Sequence, residues 1–175
     1  MAKYLIGQYN RGGYLARPEQ LKQVDAIEVQ LGQGAFGGAV ESTMKANMID
    51  DHLRTTLGLK QGQDMVINAR MPGVSSTEGI ISLVNRLKRE HDVPVGVKIA
   101  GTDYIEQELE VIARTDADFI AIDGAEGGTA VAPTTLEDDI GLPTLHTLVR
   151  TVDWLEEQGE RDRFSVIAAG GLATP

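Results

Sequence analysis

The chain has 175 residues, 42% hydrophobic and 24% charged, enough sequence and apolar side chain for one ordinary globular core. Acidic residues outnumber basic ones 26 to 16, for a net charge of −10, so an electrostatic grip on nucleic acid or an anionic membrane is not expected of the chain as a whole. There is no cysteine, which excludes disulfides, thiolate metal sites and a cysteine nucleophile within these residues, and no apolar run approaches the roughly 20 residues needed to cross a bilayer. The expected class is a cytoplasmic protein with neither nucleic-acid nor membrane partners.

Six short strand-like runs follow one another along the chain: KYLIGQY (3–9), AIEVQL (26–31), DMVINA (64–69), PVGVKIA (94–100), DFIAID (118–123) and FSVIAA (164–169). Most are short, β-branched and followed by glycine or polar residues. Helical patterns lie between them. A weak one covers 43–57. The clearest runs over 76–90, where Ser75 and Glu78 have capping-box spacing and Ile80, Leu83, Val84 and Leu87 share a face. Another extends from about Tyr104 to Thr115 with Thr102 as its cap and Ile105, Leu109 and Ile112 on one side. The last follows Pro143, is expected to bury Leu145, Leu148, Val149, Val152 and Leu155, and stops at Gly159.

Strand then helix, repeated, predicts an α/β domain with a parallel sheet, either doubly wound or part of a (β/α) barrel. The barrel is preferred because polar residues recur inside the strands: Glu28 and Gln30 among Ile27 and Val29, Lys98 among Val95, Val97 and Ile99, and Asp123 closing its run. A sheet covered by helices on both faces has no place for them, whereas a barrel strand sends alternate side chains toward the axis. Lys98 and Gln30 then point inward near the carboxyl ends of their strands, where barrel active sites are built.

The segment IAIDGAEGGTAVAP (120–133) ends a strand on Asp123 and continues as Gly124, Ala125, Glu126, Gly127, Gly128 and Thr129. Such a turn offers bare amides to a flat or anionic ligand. AAGGLATP (168–175) repeats the arrangement with Gly170 and Gly171 at the end of the last strand, a position used for phosphate in barrels. Taken singly, either loop reads better as an ordinary tight turn; two glycine pairs at successive strand ends, with an inward lysine on the strand before them, bring the ligand-binding reading level with it. His52, His91 and His146 show no metal-ligand spacing, Trp154 suits packing, and Glu137, Asp138 and Asp139 suit a solvated acidic loop.

Five motifs in this order and spacing, AIEVQLGQGAFGG (26–38), PVGVKIAG (94–101), IDGAEGGTAVAP (122–133), GLPTLHTLV (141–149) and VIAAGGLATP (166–175), resemble the FMN-binding synthase barrel of glutamate synthase. The resemblance reaches from about residue 4 to the last residue and implies a single incomplete barrel domain over 1–175, with the third to seventh strands present and the first two and the eighth lacking. It implies a fragment inactive by itself. The implied activity is FMN-dependent reduction of 2-iminoglutarate, formed from 2-oxoglutarate and ammonia, to L-glutamate. The implied partners are a glutamine amidotransferase domain or subunit and an electron donor, with any iron–sulfur cluster beyond Pro175.

By the same resemblance Lys98 is the catalytic candidate at the flavin and substrate, where a fixed cation stabilises negative charge; its structural alternative is a pair with Glu28. Gln33, Arg70 and Glu126 are implied substrate contacts, Arg70 having a plain solvent-exposed role as its alternative. Gln30, Lys98, Asp123, Gly127, Gly128, Thr129, Gly170 and Gly171 are implied cofactor contacts. Three positions depart from the family pattern: Gln30 and Phe36 each replace a lysine, and Ala130 a frequent glycine. They leave open a flavin enzyme with a different substrate, and a non-catalytic barrel that pairs with another subunit also remains an alternative.

Overall fold

The computed structural model describes residues 3–14, 16–34, 41–127 and 134–172. Five parallel strands form the main sheet in the order β1 (Ile6–Tyr9), β2 (Ala26–Gln30), β5 (Val95–Ala100), β6 (Phe119–Asp123) and β7 (Ser165–Ala169). Between β2 and β5 the chain departs into a two-stranded antiparallel unit, β3 (Ser42–Met44) with β4 (Met65–Ile67), around helix α2 (Asp51–Leu57). Helix α1 (Pro18–Leu21) precedes β2, α3 (Thr77–Glu90) precedes β5, α4 (Ile105–Ala113) joins β5 to β6, and α5 (Thr134–Asp139) and α6 (Thr144–Glu157) lie between β6 and β7. The result is an α/β fold with an open curve of parallel strands, a partial barrel that is not closed.

Because side chains alternate along a strand, the register Gln8↔Glu28, Gln30↔Lys98, Lys98↔Ala121 and Ala121↔Ile167 assigns each residue to a face. One face carries Ile27, Val29, Val95, Val97, Ile99, Ile120 and Ile122, buried against Leu83, Val84 and Leu87 of α3, Ile105, Leu109 and Ile112 of α4 and Leu155 of α6. At about 1.5–3 kcal/mol per fully buried large aliphatic side chain, this layer dominates the stability of the sheet. The opposite face carries Gln8, Glu28, Gln30, Lys98 and Asp123 among the small residues Gly96, Ala100, Ala121 and Ala169. Polar groups therefore share one side of the sheet and helices the other, as a barrel requires.

At the amino-terminal end of the strands, Asp118 accepts from the Val95 amide at 2.7 Å and from Lys88 Nζ at 2.6 Å, fastening α3 to β5 and β6. Tyr4, Leu5 and Ile6 beside β1, and Ile167 and Leu172 at β7, are exposed apolar residues at the two outer strands. Among the described residues nothing pairs with those outer edges.

Several sequence expectations are corrected. The run 64–69 is a strand, but it pairs with Ser42–Met44 rather than entering the parallel sheet. The helix expected over 43–57 is split into β3, a 3-10 turn at Ala46–Met48 and α2, because Asp50 caps α2 by accepting from the Leu53 amide at 2.7 Å. Ser76, not Ser75, caps α3 by accepting from the Gly79 amide, and Glu78 pairs with Arg114 instead of closing a capping box. Thr102 Oγ1 accepts from the Tyr104 amide, which makes Tyr104 the residue at the α4 boundary. The acidic stretch expected as a loop is helical, as α5.

The largest correction concerns α6. Its buried face is Thr144, Thr147, Thr151 and Leu155, while Leu145 and Val149 are 74% and 51% exposed. The helix lies so close to the sheet that a Cβ at Gly101 would stand 2.5 Å from Thr147 Oγ1, and one at Gly124 would stand 2.1 Å from Thr144 Oγ1. Leucines do not fit in that gap. The hydroxyls of Thr147 and Thr151 are satisfied within the helix, donating to Pro143 O at 3.1 Å and Thr147 O at 2.8 Å.

Candidate functional site

The polar face culminates at the carboxyl ends of β5 and β6. Lys98 Nζ lies 2.9 Å from Asp123 Oδ2, with side chains only 17% and 9% exposed. Asp123, and not Glu28, is the lysine's counter-charge; Glu28 instead accepts from Gln8 Nε2 at 2.9 Å. Gln30 is buried and its amide donates to Gln33 Oε1, so the loop after β2 is tied to the strand it leaves.

The glycine loops meet beside this pair. A Cβ on Gly127 would come within 2.5 Å of Asp123 Oδ1 and 2.9 Å of Gly170 Cα, and one on Gly34 would reach Gly127 O at 2.8 Å. Three strand ends, after β2, β6 and β7, thus converge with bare backbone. Gly170 has φ of 112°, a conformation closed to residues with a side chain, and a Cβ there would lie 2.7 Å from the Gly124 amide nitrogen. The Gly124 amide donates to Ala169 O at 3.0 Å, which locks the two loops together.

Glu126 is engaged by the protein. Its carboxylate accepts from the Thr144 amide at 2.8 Å and lies 2.8 Å from Thr144 Oγ1, closing the amino end of α6. The Thr144 amide, followed by Glu126's own backbone amide, holds this carboxyl below its usual pKa. The Thr144 hydroxyl also lies 3.2 Å from Ala169 O and 3.1 Å from Gly170 O, and having one hydrogen it serves one acceptor at a time. Arg70 is exposed and lines a separate groove with Leu31, Val74 and Glu108, so it is not brought to Lys98. Gly128, Thr129, Phe36 and Ala130 lie outside the described residues.

Two features escaped the sequence reading. Arg11, at the turn after β1, is 1% exposed and donates to Ala69 O at 2.9 Å; burial works against its charge and lowers its pKa. It lines a cavity of about 330 Å³ together with Gln30, Gln33 and, from the β3–β4 unit, Met44, Met48 and Met65. The signal was the polar, glycine-bearing stretch YNRGG directly after a strand. Glu108, on α4, lines an apolar cavity of about 210 Å³ with Leu31, Ile80 and Ile99 on the helix-covered side of the sheet. Burial there pushes its carboxyl up to about 7, opposed by the Thr102 hydroxyl donating at 3.0 Å.

Comparison with known proteins decides the kinship. The family model described as a conserved region in glutamate synthase matches residues 1–175. The chain belongs to the glutamate synthase family. It is 32% identical to archaeal glutamate synthase (NADPH) of Methanocaldococcus jannaschii over 98% of this chain and 34% of that protein. The protein of the same name from Archaeoglobus fulgidus is 30% identical over 97% of this chain and 34% of its own length. The archaeal-type glutamate synthase (NADPH) of Thermotoga neapolitana is 29% identical over 96% and 33% respectively. The chain spans about a third of the length of these relatives.

Proposed function

We propose that these residues form part of an FMN-dependent oxidoreductase of glutamate synthase type, which converts a 2-oxo acid and ammonia to an amino acid. The observation carrying this reading is the convergence of the Lys98–Asp123 pair with the bare strand ends at Gly34, Gly127 and Gly170. Family membership supplies the chemistry to which that convergence is suited.

The residues fit a flavin. Gly127 and Gly170 are positions where a Cβ would fill the space in which backbone approaches backbone, and Gly170 and Gly171 both have positive φ, so their amides can turn toward a phosphate. FMN, when bound, supplies the two electrons of the reduction. Gly170 and Gly171 would hold its phosphate and Lys98 would lie at its ring, with Asp123 keeping the ammonium group in place. Gly128 and Thr129 belong with the same loop. Gln33, anchored by Gln30, would orient the acid, while Arg11 would contribute positive charge from a fixed, desolvated position. Glu126 would act by holding α6 against the glycine loop, and Arg70 would act at the outer rim.

In the family resembled, the acid is 2-oxoglutarate, the product L-glutamate and the ammonia donor glutamine, delivered by an amidotransferase domain or subunit. An electron donor, and an iron–sulfur cluster held by residues outside this chain, belong to the same proposal. The working unit would be one barrel domain larger than these residues, because the sheet has five strands and its outer edges are unpaired among the described residues. No helix among the described residues is long and apolar enough to cross a membrane, and a cytoplasmic site of action is part of the proposal.

Purifying the protein in the full length of its gene tests the reading. It is expected to carry FMN, visible as a flavin absorption band, or to take it up on reconstitution. A colourless protein that cannot be reconstituted overturns the proposal.

A further inference from the structure

We infer that Thr144 is a positioning residue for the phosphate of the flavin: its hydroxyl sets the direction in which the backbone amides of Gly170 and Gly171 point. This rests on the flavin reading above and adds to it a residue that acts through the loop after β7 rather than on the ligand.

Thr144 is the first residue of α6, and Pro143 before it offers the helix no side-chain acceptor. The amino end of α6 is closed instead by Glu126, from the loop after β6, which accepts from the Thr144 amide at 2.8 Å. This brings the buried Thr144 hydroxyl within reach of two loops. Glu126 Oε2 lies 2.8 Å from it, and Ala169 O and Gly170 O lie at 3.2 and 3.1 Å.

The two carbonyls are not equivalent. Ala169 O also accepts from the Gly124 amide at 3.0 Å, whereas Gly170 O has the Thr144 hydroxyl as its one donor among the described residues. Gly170 and Gly171 have φ of 112° and 62° and no side chains, so nothing of their own fixes the peptide plane between them. In a trans peptide the C=O and the N–H point in opposite directions, so a hydroxyl that holds Gly170 O turns the Gly171 N–H away from Thr144. When the hydroxyl hydrogen serves Glu126 instead, the turn is still held, because a Cβ on Gly171 would stand 2.8 Å from Glu126 Cβ and from Glu126 O. Either acceptor therefore ties the Gly170–Gly171 turn to the first turn of α6. Neither glycine amide donates to another group among the described residues, which leaves both for an anion.

The test is fluorescence titration of the full-length protein, freed of any bound flavin, with FMN and with riboflavin, which lacks the phosphate. Thr144→Ala removes the hydroxyl and Thr144→Ser keeps it. The alanine variant is expected to bind FMN about tenfold more weakly, and riboflavin within about twofold of the unsubstituted protein. The serine variant is expected to bind both within about twofold. Equal weakening toward both flavins by Thr144→Ala, the mark of a merely structural role, overturns the inference, as does an FMN affinity that alanine leaves unchanged or serine fails to restore. Urea midpoints of the same samples show whether each variant is folded; where Thr144→Ala is not, Thr144→Cys, whose thiol is a weak donor, takes its place with the same expected outcome. An unsubstituted protein that binds FMN while this comparison fails overturns the inference alone; one that takes up neither flavin overturns the flavin reading and this inference with it.

Discussion

Asp123 pairs with Lys98 across the β5–β6 boundary, two residues beyond Ala121, the residue that stands opposite Lys98 in the register. The contact is diagonal, and both side chains are nearly out of solvent. Removing the carboxylate leaves a desolvated ammonium group, which costs far more than the net worth of the intact pair. Asp123→Asn is expected to lower stability by about 3 kcal/mol, read as a drop in urea midpoint. The double variant Lys98→Met with Asp123→Asn is expected to recover much of that loss. Strictly additive losses would show that the two groups do not act as a pair.

Gly170 and Gly159 separate backbone strain from crowding. Both have positive φ, 112° and 70°, but a Cβ on Gly159 would meet nothing within 4 Å, whereas one on Gly170 would meet the Gly124 amide and Thr144 Oγ1 at 2.7 Å. Gly159→Ala is expected to cost about 1 kcal/mol through φ alone. Gly170→Ala is expected to cost roughly 1–2 kcal/mol more and to reduce flavin uptake, since it pushes the two glycine loops apart. Equal losses in the two variants, with flavin content unchanged, would remove Gly170 from the site.

Glu108 makes stability depend on pH in the direction opposite to that of most carboxylates. Burial raises its pKa from the ordinary 4.5 to about 7, so between those values the folded protein holds a proton that the unfolded chain has released. Stability contributed by the neutral group is complete below about pH 4.5 and is lost as pH rises through 7, a change on the order of 3 kcal/mol. Glu108→Gln keeps the neutral shape at all pH values. It is expected to be nearly neutral at about pH 4 and stabilising at about pH 8, flattening the profile between them. A variant equally destabilised at both pH values would mean that the carboxyl is not desolvated.

The parallel sheet was legible because its outer side chains, Ile27 and Val29 or Val95, Val97 and Ile99, alternate with polar or small ones, and period two survives in short runs. That alternation also pointed Lys98 and Gln30 to the side where the structure has them. The lysine's partner was not legible. Asp123 and Glu28 are both acids on neighbouring strands, each two residues from the position opposite Lys98, so strand pairing alone does not choose between them. Helix α6 misled for a different reason. Its threonines are buried by proximity to Gly101 and Gly124, and a hydroxyl satisfied by its own helix leaves no mark in hydrophobic periodicity. Three-residue β3 is too short to alternate, so Met44 read as helix. Arg11 had no periodic signal, only a position after a strand. Strand ends gather residues distant in the chain, and the site is made of such neighbours.

Gly96 and Phe119 stand opposite each other on β5 and β6, and a Cβ on Gly96 would lie 2.2 to 2.4 Å from three ring atoms of Phe119 and nearer to them than to any other side chain. The ring covers the glycine on the polar face, below the level of Lys98. Gly96→Ala must therefore displace the ring, at an expected cost of about 1–3 kcal/mol. Phe119→Ala alone opens a cavity, at about 3–5 kcal/mol. Together they relieve one another, because the alanine at 96 enters space the ring has left. The double variant is expected to be more stable than the sum of the single losses by at least about 1 kcal/mol, measured from urea midpoints of the four proteins in a double-mutant cycle. A coupling near zero would mean that the ring does not rest on Gly96, and that the small residues of this face are present for some reason other than room for the groups above them.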